Sequence, residues 1–514
     1  MQAPHLRHWP PNLARSLAPA RETLAAVFER TARRFAGKPA TIHRGEGLSW
    51  AEVGRRALGL AGHLRHACGV KPGDRVALCM QNGPDFVVAF FAVLRADAVA
   101  VPLAPMHLAH ELAHTLADSG ARVAITEPET ADRFTGLALE HLVVIGETPI
   151  RASDPGPSVA RPDDLCLLAY TSGSTGRPKG CMHTHVTVLH NVVGAALWKR
   201  VTEDAVALAT APFFHVTGLV HSFLAPAWAG GTIVIQRRWE PVEAARLVEA
   251  HRCTHWDNVP TMVVDLLSDR QALRHDLSSL KWIFGGGAAM PEAIAQKLFE
   301  VCGVHYLEGY GLTETISQTH LNPPQNPKKQ CLGIPTFDTE ALVVHPERLE
   351  PLPAGEPGEI VVRGPQLLRG YWKNERSYRE SWVNVGGRAY FRTGDLGRTD
   401  EDGYFYIADR LKRMINAAGY KVWPAEVEAA MYRHPAIQEC CVIASPDERR
   451  GETVKAVVVL KPGARASGEE ILAWARTEMA AYKAPRRIEF VPALPRTGSG
   501  KIQWRALQDR EFGR

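Results

Sequence analysis

The stretch Tyr170–Gly180, YTSGSTGRPKG, follows the apolar run LCLLA and governs how the rest of the chain is read. Its glycines permit positive φ, so successive N–H groups can converge into an anion-binding nest, while Thr and Ser add hydroxyl donors and Lys179 adds fixed charge. A buried strand that empties into such a loop suits a polyphosphate. A flexible Ser/Gly linker is the plain alternative, but linkers seldom follow a buried strand and seldom close on Pro-Lys-Gly. The spacing is not that of a Walker loop, which needs GxxxxGK[ST], because Lys179 follows Pro178 and precedes Gly180. Neither Ser172 nor Ser174 is framed as G-x-S-x-G, so a nucleophile elbow is excluded as well.

Upstream of the loop, TLAAVFERTARRF behind Thr23 and LSWAEVGRRALGLAGHLRHAC behind Ser49 space their apolar residues as amphipathic helices. GDRVALCM, AVAVPL and RVAIT read as strands around a helix that begins near Pro84, a succession that predicts a mainly parallel sheet covered by helices. Residues 151–164 are rich in Pro, Ser and Asp and read as a surface loop.

Downstream, MHTHVTVLHNVVGAALW has helical period, and a helix starting beside the loop would aim its N-terminal dipole at the same anion. The next block carries His215 between Phe214 and Val216, a candidate for gating the substrate, although a packing histidine is the commoner outcome. KWIFGGGAAM ends in Gly285, Gly286 and Gly287, which permit close approach to a flat group such as a purine. In HYLEGYGLTET the strand is expected to break at Gly309 and Gly311, presenting Tyr310 for stacking and Thr313 and Glu314 near phosphate. Glu314 suits a Mg²⁺ shell completed by phosphate oxygens and water, or simply a helix start. A turn-rich β unit follows and holds Asp395, which by itself could make only an Asx turn. From ADRLKRMI onward the chain reads as a compact α+β module of about a hundred residues, with Lys501 in a glycine-rich tail that is not a Walker motif.

The 514 residues, 45% hydrophobic and 22% charged, exceed one ordinary core and predict a globular chain of two or more domains. A net charge of +5 without long like-charge blocks gives no electrostatic footprint for nucleic acid. Nine cysteines without C-x-x-C pairs point to a reducing cytosol, so a cytoplasmic location is expected, and the adjacent Cys440 and Cys441 read as core residues of one strand. The N-terminal MQAPHLRHWPPNLARS has no apolar core, is not a secretory signal, and reads as a short surface arm. Phe86–Leu94 falls short of the roughly 20 residues of a membrane span and reads as a core helix.

Five blocks taken in order, YTSGSTGRPKG, GYGLTE, YFRTGD, ADRLKRMI to GYKVWPAEVE, and PRTGSGKI, resemble the adenylate-forming acyl-CoA synthetases, with the related peptide-synthetase adenylation domains and luciferases. The resemblance runs from about Thr23 to Lys501. It implies an α/β fold: a large domain, residues 1–409, of helix-covered, mainly parallel sheets plus a small β unit. A hinge at 410–412 and a small, mobile α+β domain at 413–514 would follow. It implies that Thr171, Ser172, Gly173, Ser174, Thr175, Gly176 and Lys179 hold the ATP phosphates, that Gly285–Gly287 and Tyr310 frame the adenine, and that Asp395 with Arg410 binds the ribose. Thr313 would contact phosphate, Glu314 would bind Mg²⁺, and Lys501 would bridge carboxylate and α-phosphate. Lys412 maps to the hinge, and Gly419 to the pantetheine tunnel used when CoA attacks.

The expected function is therefore ATP-dependent activation of a fatty, aryl or alicyclic acid as acyl-AMP, then thioester formation on coenzyme A. An α-amino acid is disfavoured, since FFHVTG offers no acid to pair with its ammonium. Loading of a carrier protein, and a non-catalytic nucleotide-binding protein, are the competing outcomes. Asp257 in HWDNVPTM is either structural or meets a polar group on the acid. The assembly is left open, a homodimer being one outcome.

Overall fold

The computed structural model describes residues 3–171, 178–288, 290–410, 413–417, 420–447, 451–497 and 502–513. Two compact units are present. One comprises Met1–Glu340 with Arg363–Trp382; the other comprises Ala341–Val362 with Val383–Arg514.

The first unit is built on two sheets. In the six-stranded sheet the order is His141–Val144, Val123–Thr126, Arg75–Cys79, Val99–Leu103, Leu165–Thr171 and Lys179–Thr184, parallel except for the last pair. Val99–Leu103 and Val123–Thr126 are buried along their whole length, as parallel strands covered on both faces must be. In the nine-stranded sheet the order is Ile334–Pro335, Ser317–Leu321, Tyr306–Leu312, Trp282–Gly286, His255–Asn258, Val206–Ala209, Thr232–Ile235, Pro39–His43 and Glu46–Ser49. Its central strands are parallel and both edges are antiparallel.

The helices begin where the sequence places their caps. Thr23 accepts from Ala26 N–H at the head of Leu24–Arg34, and Ser49 from Glu52 N–H at the head of Trp50–His66. Pro84–Arg95 is the core helix expected, with Phe86–Leu94 all buried. Its Phe91 stacks on Phe28 at 3.7 Å between centroids, and Phe86 and Phe90 meet Phe223 edge-on. The N-terminal arm lies at the surface, as expected, but is anchored there. Trp9 packs edge-on against Trp198 at 5.0 Å and Phe337 at 5.3 Å, because an indole that has somewhere apolar to go gains more by docking than by staying in water.

The second unit holds a five-stranded sheet made of Glu340–Val344, Gly358–Arg363, Arg388–Thr399 and Trp382–Val385, with Phe405–Arg410 added to Arg388–Thr399. A further five-stranded sheet carries Tyr420–Val422, Ile415–Ala417, Gly451–Leu460 and Ile437–Asp447, with Arg487–Phe490 parallel to Gly451–Leu460. The helices Pro424–Met431, Gly468–Glu478 and Trp504–Glu511 belong to the same unit. Cys440 and Cys441, each 1% exposed, project to opposite faces of their strand into two separate apolar clusters, and both are free thiols. Among the described residues no helix is long and apolar enough to cross a membrane.

Candidate active site

Leu165–Thr171 and Lys179–Thr184 form an antiparallel hairpin whose last register pair is Thr171 with Lys179. The loop residues Ser172, Gly173, Ser174, Thr175 and Gly176 lie outside the described residues, but both ends of the loop are fixed by that pairing. The strand continues from Lys179 to Thr184, and only then does a helix begin, His185–Trp198, behind a Thr184–Thr187 capping box. The helix start therefore faces the opposite end of the hairpin, Thr184 pairing with Leu165, roughly 17 Å of strand away from Lys179. This corrects the expectation that its dipole serves the loop. The residues Gly180–Thr184 find a complete ladder beside Leu165–Thr171, and helix formation waits for the first good cap.

A short segment adds itself to the free edge of that hairpin. Met182 N–H donates to Gly370 O at 3.0 Å, Arg369 N–H to Met182 O at 2.8 Å and Trp372 N–H to Gly180 O at 2.8 Å. This stitching carries Tyr371 under the loop anchor, with Lys179 Nζ 5.2 Å from its ring centroid and 2.9 Å from Ser377 Oγ. The Tyr371 hydroxyl donates to Glu314 Oε1 at 2.9 Å, and Leu368 N–H donates to Glu314 O at 2.8 Å. Burial, and then the Glu314 carboxylate, hold the phenol well above the ordinary tyrosine range, so it stays a donor.

Glu314 sits in the turn Thr313–Thr315. His183 Nε2 lies 2.8 Å from Thr313 O; since a carbonyl only accepts, that nitrogen carries the proton. Burial pushes His183 down to about 4, so the ring is neutral at neutral pH. Directly after the turn, Ile316 has φ 42° and Ser317 φ 89°, two consecutive side-chain-bearing residues with left-handed or neighbouring backbone, costing about 1–2 kcal/mol each. Asn191 offsets that strain: its Nδ2 lies 2.8 Å from Thr315 O, 3.0 Å from Ile316 O and 3.0 Å from Gln318 O. Gln318 Nε2 returns a bond to Asn191 O at 2.7 Å. His183, Asn191 and Tyr371 were not singled out from the sequence. Strand alternation in CMHTH could have flagged a buried His183; nothing local marks the other two.

The strand Tyr306–Leu312 does not break at Gly309 or Gly311; it runs through both, with a register shift between Tyr310 and Gly311. The glycines allow close packing instead, since a Cβ on Gly311 would stand 1.7 Å from Ser317 O. In the same way a Cβ on Gly285 would strike Tyr306 Oη at 1.7 Å and one on Gly286 would meet Gly309 O at 2.6 Å, so the room beside these two is taken by protein. Only Gly287 needs positive φ, 85°. Tyr310 is 8% exposed, its ring 5.7 Å from that of His320. His215 is half-buried; its Nδ1 accepts from Thr217 N–H at 3.3 Å just before the helical turn Gly218–Leu224. Asp257 is paired within the protein, with Lys199.

In the second unit, Asp395 is 1% exposed on Arg388–Thr399, its N–H donating to Thr393 Oγ1 at 3.1 Å. Its register partner on Phe405–Arg410 is Arg410. Gly394 takes φ 70° and donates to Glu359 Oε1 at 3.3 Å, and Glu359 is in turn ion-paired with Arg392. Lys412, Gly419 and Lys501 lie outside the described residues. Among the described residues no group of three His, Cys, Asp or Glu is placed to hold a metal.

Residues 28–372 match the family model described as AMP-binding enzyme, and residues 426–501 match the AMP-binding enzyme C-terminal domain. The chain is 40% identical over 481 residues to a feruloyl-CoA synthase from Amycolatopsis sp, covering 92% of this chain and 96% of that protein. It is 34% identical to a long-chain-fatty-acid–CoA ligase of Bacillus subtilis strain 168, covering 99% and 98%. The crystal structure of the anthranilate CoA ligase AuaEII in complex with anthranoyl-AMP matches with a TM-score of 0.89 at 29% identity, covering 96% of this chain and 98% of that one.

Proposed function

Because the chain belongs to the AMP-binding enzyme family, we propose that it activates an aromatic acid of the feruloyl type, with Glu314 and Lys179 at the nucleotide. It is an AMP-forming acid–CoA ligase: the carboxylate attacks the α-phosphorus of ATP, pyrophosphate leaves, and CoA thiol then takes the acyl group from the adenylate. Its substrates are thus a small carboxylic acid, ATP and CoA. The 40% identity to feruloyl-CoA synthase over nearly the whole chain carries the choice of acid. The segment Phe213–Gly218 adds to it, because it holds no carboxylate that could pair with an amino-acid ammonium.

Crowding of anions opposes the first step, so fixed positive charge and donors in a water-poor site do most of the work. Lys179, held by Ser377 and the Tyr371 ring, serves the phosphates together with Thr171 and residues 172–176. Glu314 is a hard oxygen donor beside a phenol that keeps its proton, and suits Mg²⁺, which would neutralise charge on the departing pyrophosphate. The backbone of Gly285–Gly287, with Tyr310, frames the adenine, Asp395 and Arg410 take the ribose, Thr313 meets phosphate, and Lys501 bridges carboxylate and α-phosphate. His215 borders the acid. For the second step Lys412 serves as hinge at the 410–412 boundary and Gly419 lines the path of the thiol.

The test is pyrophosphate release over aromatic, fatty, alicyclic and amino acids, each with and without CoA. Aromatic acids are expected to give the highest kcat/KM and a CoA thioester product. A higher kcat/KM with long-chain fatty acids would replace this reading by the one that the 34% identity to the fatty-acid ligase favours.

A further inference from the structure

Deep in the first unit lies a polar chain that the nucleotide chemistry does not use. Lys199, 2% exposed, pairs through Nζ with Asp257 Oδ1, and the same ammonium lies 2.9 Å from His221 Nδ1. His221 Nε2 is 2.9 Å from Ser317 Oγ. Around them the interior is apolar: Lys199 Nζ sits 4.7 Å from the Phe284 ring centroid, and Phe213, Val220 and Phe223 are fully buried.

The proton positions follow from residue chemistry. An ammonium only donates, so His221 Nδ1 accepts and its Nε2–H donates to Ser317 Oγ. Burial, reinforced by Lys199, lowers the His221 pKa far below the ordinary value, which keeps the ring neutral and consistent with that polarity. The Ser317 hydroxyl proton is then left to point onward, and Asp257 Oδ2 has no hydrogen-bond donor among the described residues. The Asp257 side chain keeps 9% of its accessibility, and His221 and Ser317 retain 7% and 6%, whereas the strand neighbours Ala209 and Asn258 retain 0%. The cluster therefore borders an internal space.

The cluster is adjacent to the candidate active site along both strand and chain. Asp257 and Phe284 are register partners on adjacent parallel strands. Two residues farther along, Gly286 and Gly309 are also partners, packed so closely that a Cβ on Gly286 would stand 2.6 Å from Gly309 O. Ser317 comes three residues after Glu314, and His221 stands in the helical turn that follows His215.

A buried ion pair is no stability device in itself, since apolar residues of equal volume serve as well or better. We propose that Asp257, Lys199, His221 and Ser317 form the floor of the acid-binding cavity and select acids carrying an uncharged oxygen substituent, hydroxyl or alkoxy, at the end remote from the carboxylate. The ion pair leaves no net charge to attract a second ionic group. Asp257 Oδ2 accepts from a hydroxyl, and Ser317 donates to a hydroxyl or an alkoxy oxygen. This specificity rests on the reading of the chain as an aromatic-acid ligase but does not need it, because an ω-hydroxylated chain would meet the same floor.

The test compares kcat/KM by pyrophosphate release for two matched pairs: para-hydroxycinnamic against cinnamic acid, and an ω-hydroxylated against a plain fatty acid. The variants are Ser317→Ala and the double replacement Lys199→Met with Asp257→Leu, each shown to be folded by its thermal transition and by ATP binding. The wild type is expected to prefer the oxygenated member of at least one pair, and each variant to reduce that preference at least tenfold. A wild type without the preference in either pair, or variants that keep the ratio, overturn the floor assignment. A preference found only in the fatty pair, and lost in the variants, upholds the floor while removing the aromatic reading. If the double replacement does not fold, Ser317→Ala decides.

Discussion

Tyr371 donates its hydroxyl proton to Glu314 Oε1 at 2.9 Å although 57 residues separate the two, and its ring lies under the ammonium of Lys179. One side chain thus couples the phosphate-loop anchor to the carboxylate assigned to Mg²⁺. A hydrogen bond to a charged group contributes about 1.5–3 kcal/mol. Tyr371→Phe keeps the ring under Lys179 and removes only that bond. The expected outcome is a fall in adenylation kcat of roughly ten- to a hundredfold with a raised Mg²⁺ requirement, the KM for the acid being little changed. Titration of pyrophosphate release with Mg²⁺ checks this, and an unchanged Mg²⁺ dependence would separate Glu314 from the metal.

Asn191 holds three carbonyls of the strained segment Thr315–Gln318 with a single amide. Asn191→Ala leaves those buried acceptors short of donors, a loss of about 3 kcal/mol. We expect a lowered Tm for the first unit together with weakened adenylation, since the turn that aims Glu314 relaxes. Retention of full activity in a folded variant would show that the turn does not depend on this clamp.

Buried histidines set a pH optimum of stability. Burial pushes His183, His185 and His255 down to about 4 and His320 to about 3. The unfolded chain, with histidines near about 6.5, binds protons that the native state refuses. Stability therefore falls as pH drops through the window from 6.5 to 4. His185 adds a structural reason, because its Nδ1 accepts from Leu24 N–H at 3.1 Å and cannot do so once protonated. Glu308 acts in the opposite sense. Burial raises it to about 8, so the native state keeps a proton that the unfolded state loses near 4.5, and stability falls as pH rises from 4.5 to 8. Four histidines outweigh one carboxyl below about 6.5; above it Glu308 lowers stability first, joined above about 8.5 by buried thiols such as Cys79, Cys253 and Cys302, which burial pushes up. Urea midpoints should peak near neutrality, and Glu308→Gln should flatten the alkaline side up to about 8; a midpoint that still falls there would point to another group.

The residues assigned to the two half-reactions should separate kinetically. Lys501→Ala is expected to leave ATP binding largely intact and nearly abolish pyrophosphate release. Gly419→Leu should spare adenylation and block thioester formation, measured by CoA-thioester yield from pre-formed adenylate. Equal loss of both steps in the Gly419 variant would remove that residue from the thiol path.

Much of the fold is legible in local pattern. Thr23 and Ser49 cap the helices their spacing predicts, and the unbroken apolar run Phe86–Leu94 is the buried helix it reads as. Local signals are overridden where they compete with strand pairing. The helical period after Gly180 is real, but residues 179–184 gain a full strand ladder first, and the glycines of Tyr306–Leu312 mark tight inter-strand packing rather than a break. Trp9 shows the same limit, since a proline-rich arm carries no sign that two aromatic rings await it.

By itself the sequence determined the order of elements, the family and the chemistry class, because caps, periodicity and the spaced blocks around Tyr170–Gly180, Glu314 and Asp395 depend on neighbours a few residues apart. Tertiary structure alone decided the partners: Tyr371 for Glu314, His183 for Thr313 across 130 residues, Asn191 for Thr315 across 124, and Lys199 for Asp257 across 58. Such pairs form only once strands are in register and helices are docked. Their strength comes from burial, which sequence proximity does not encode.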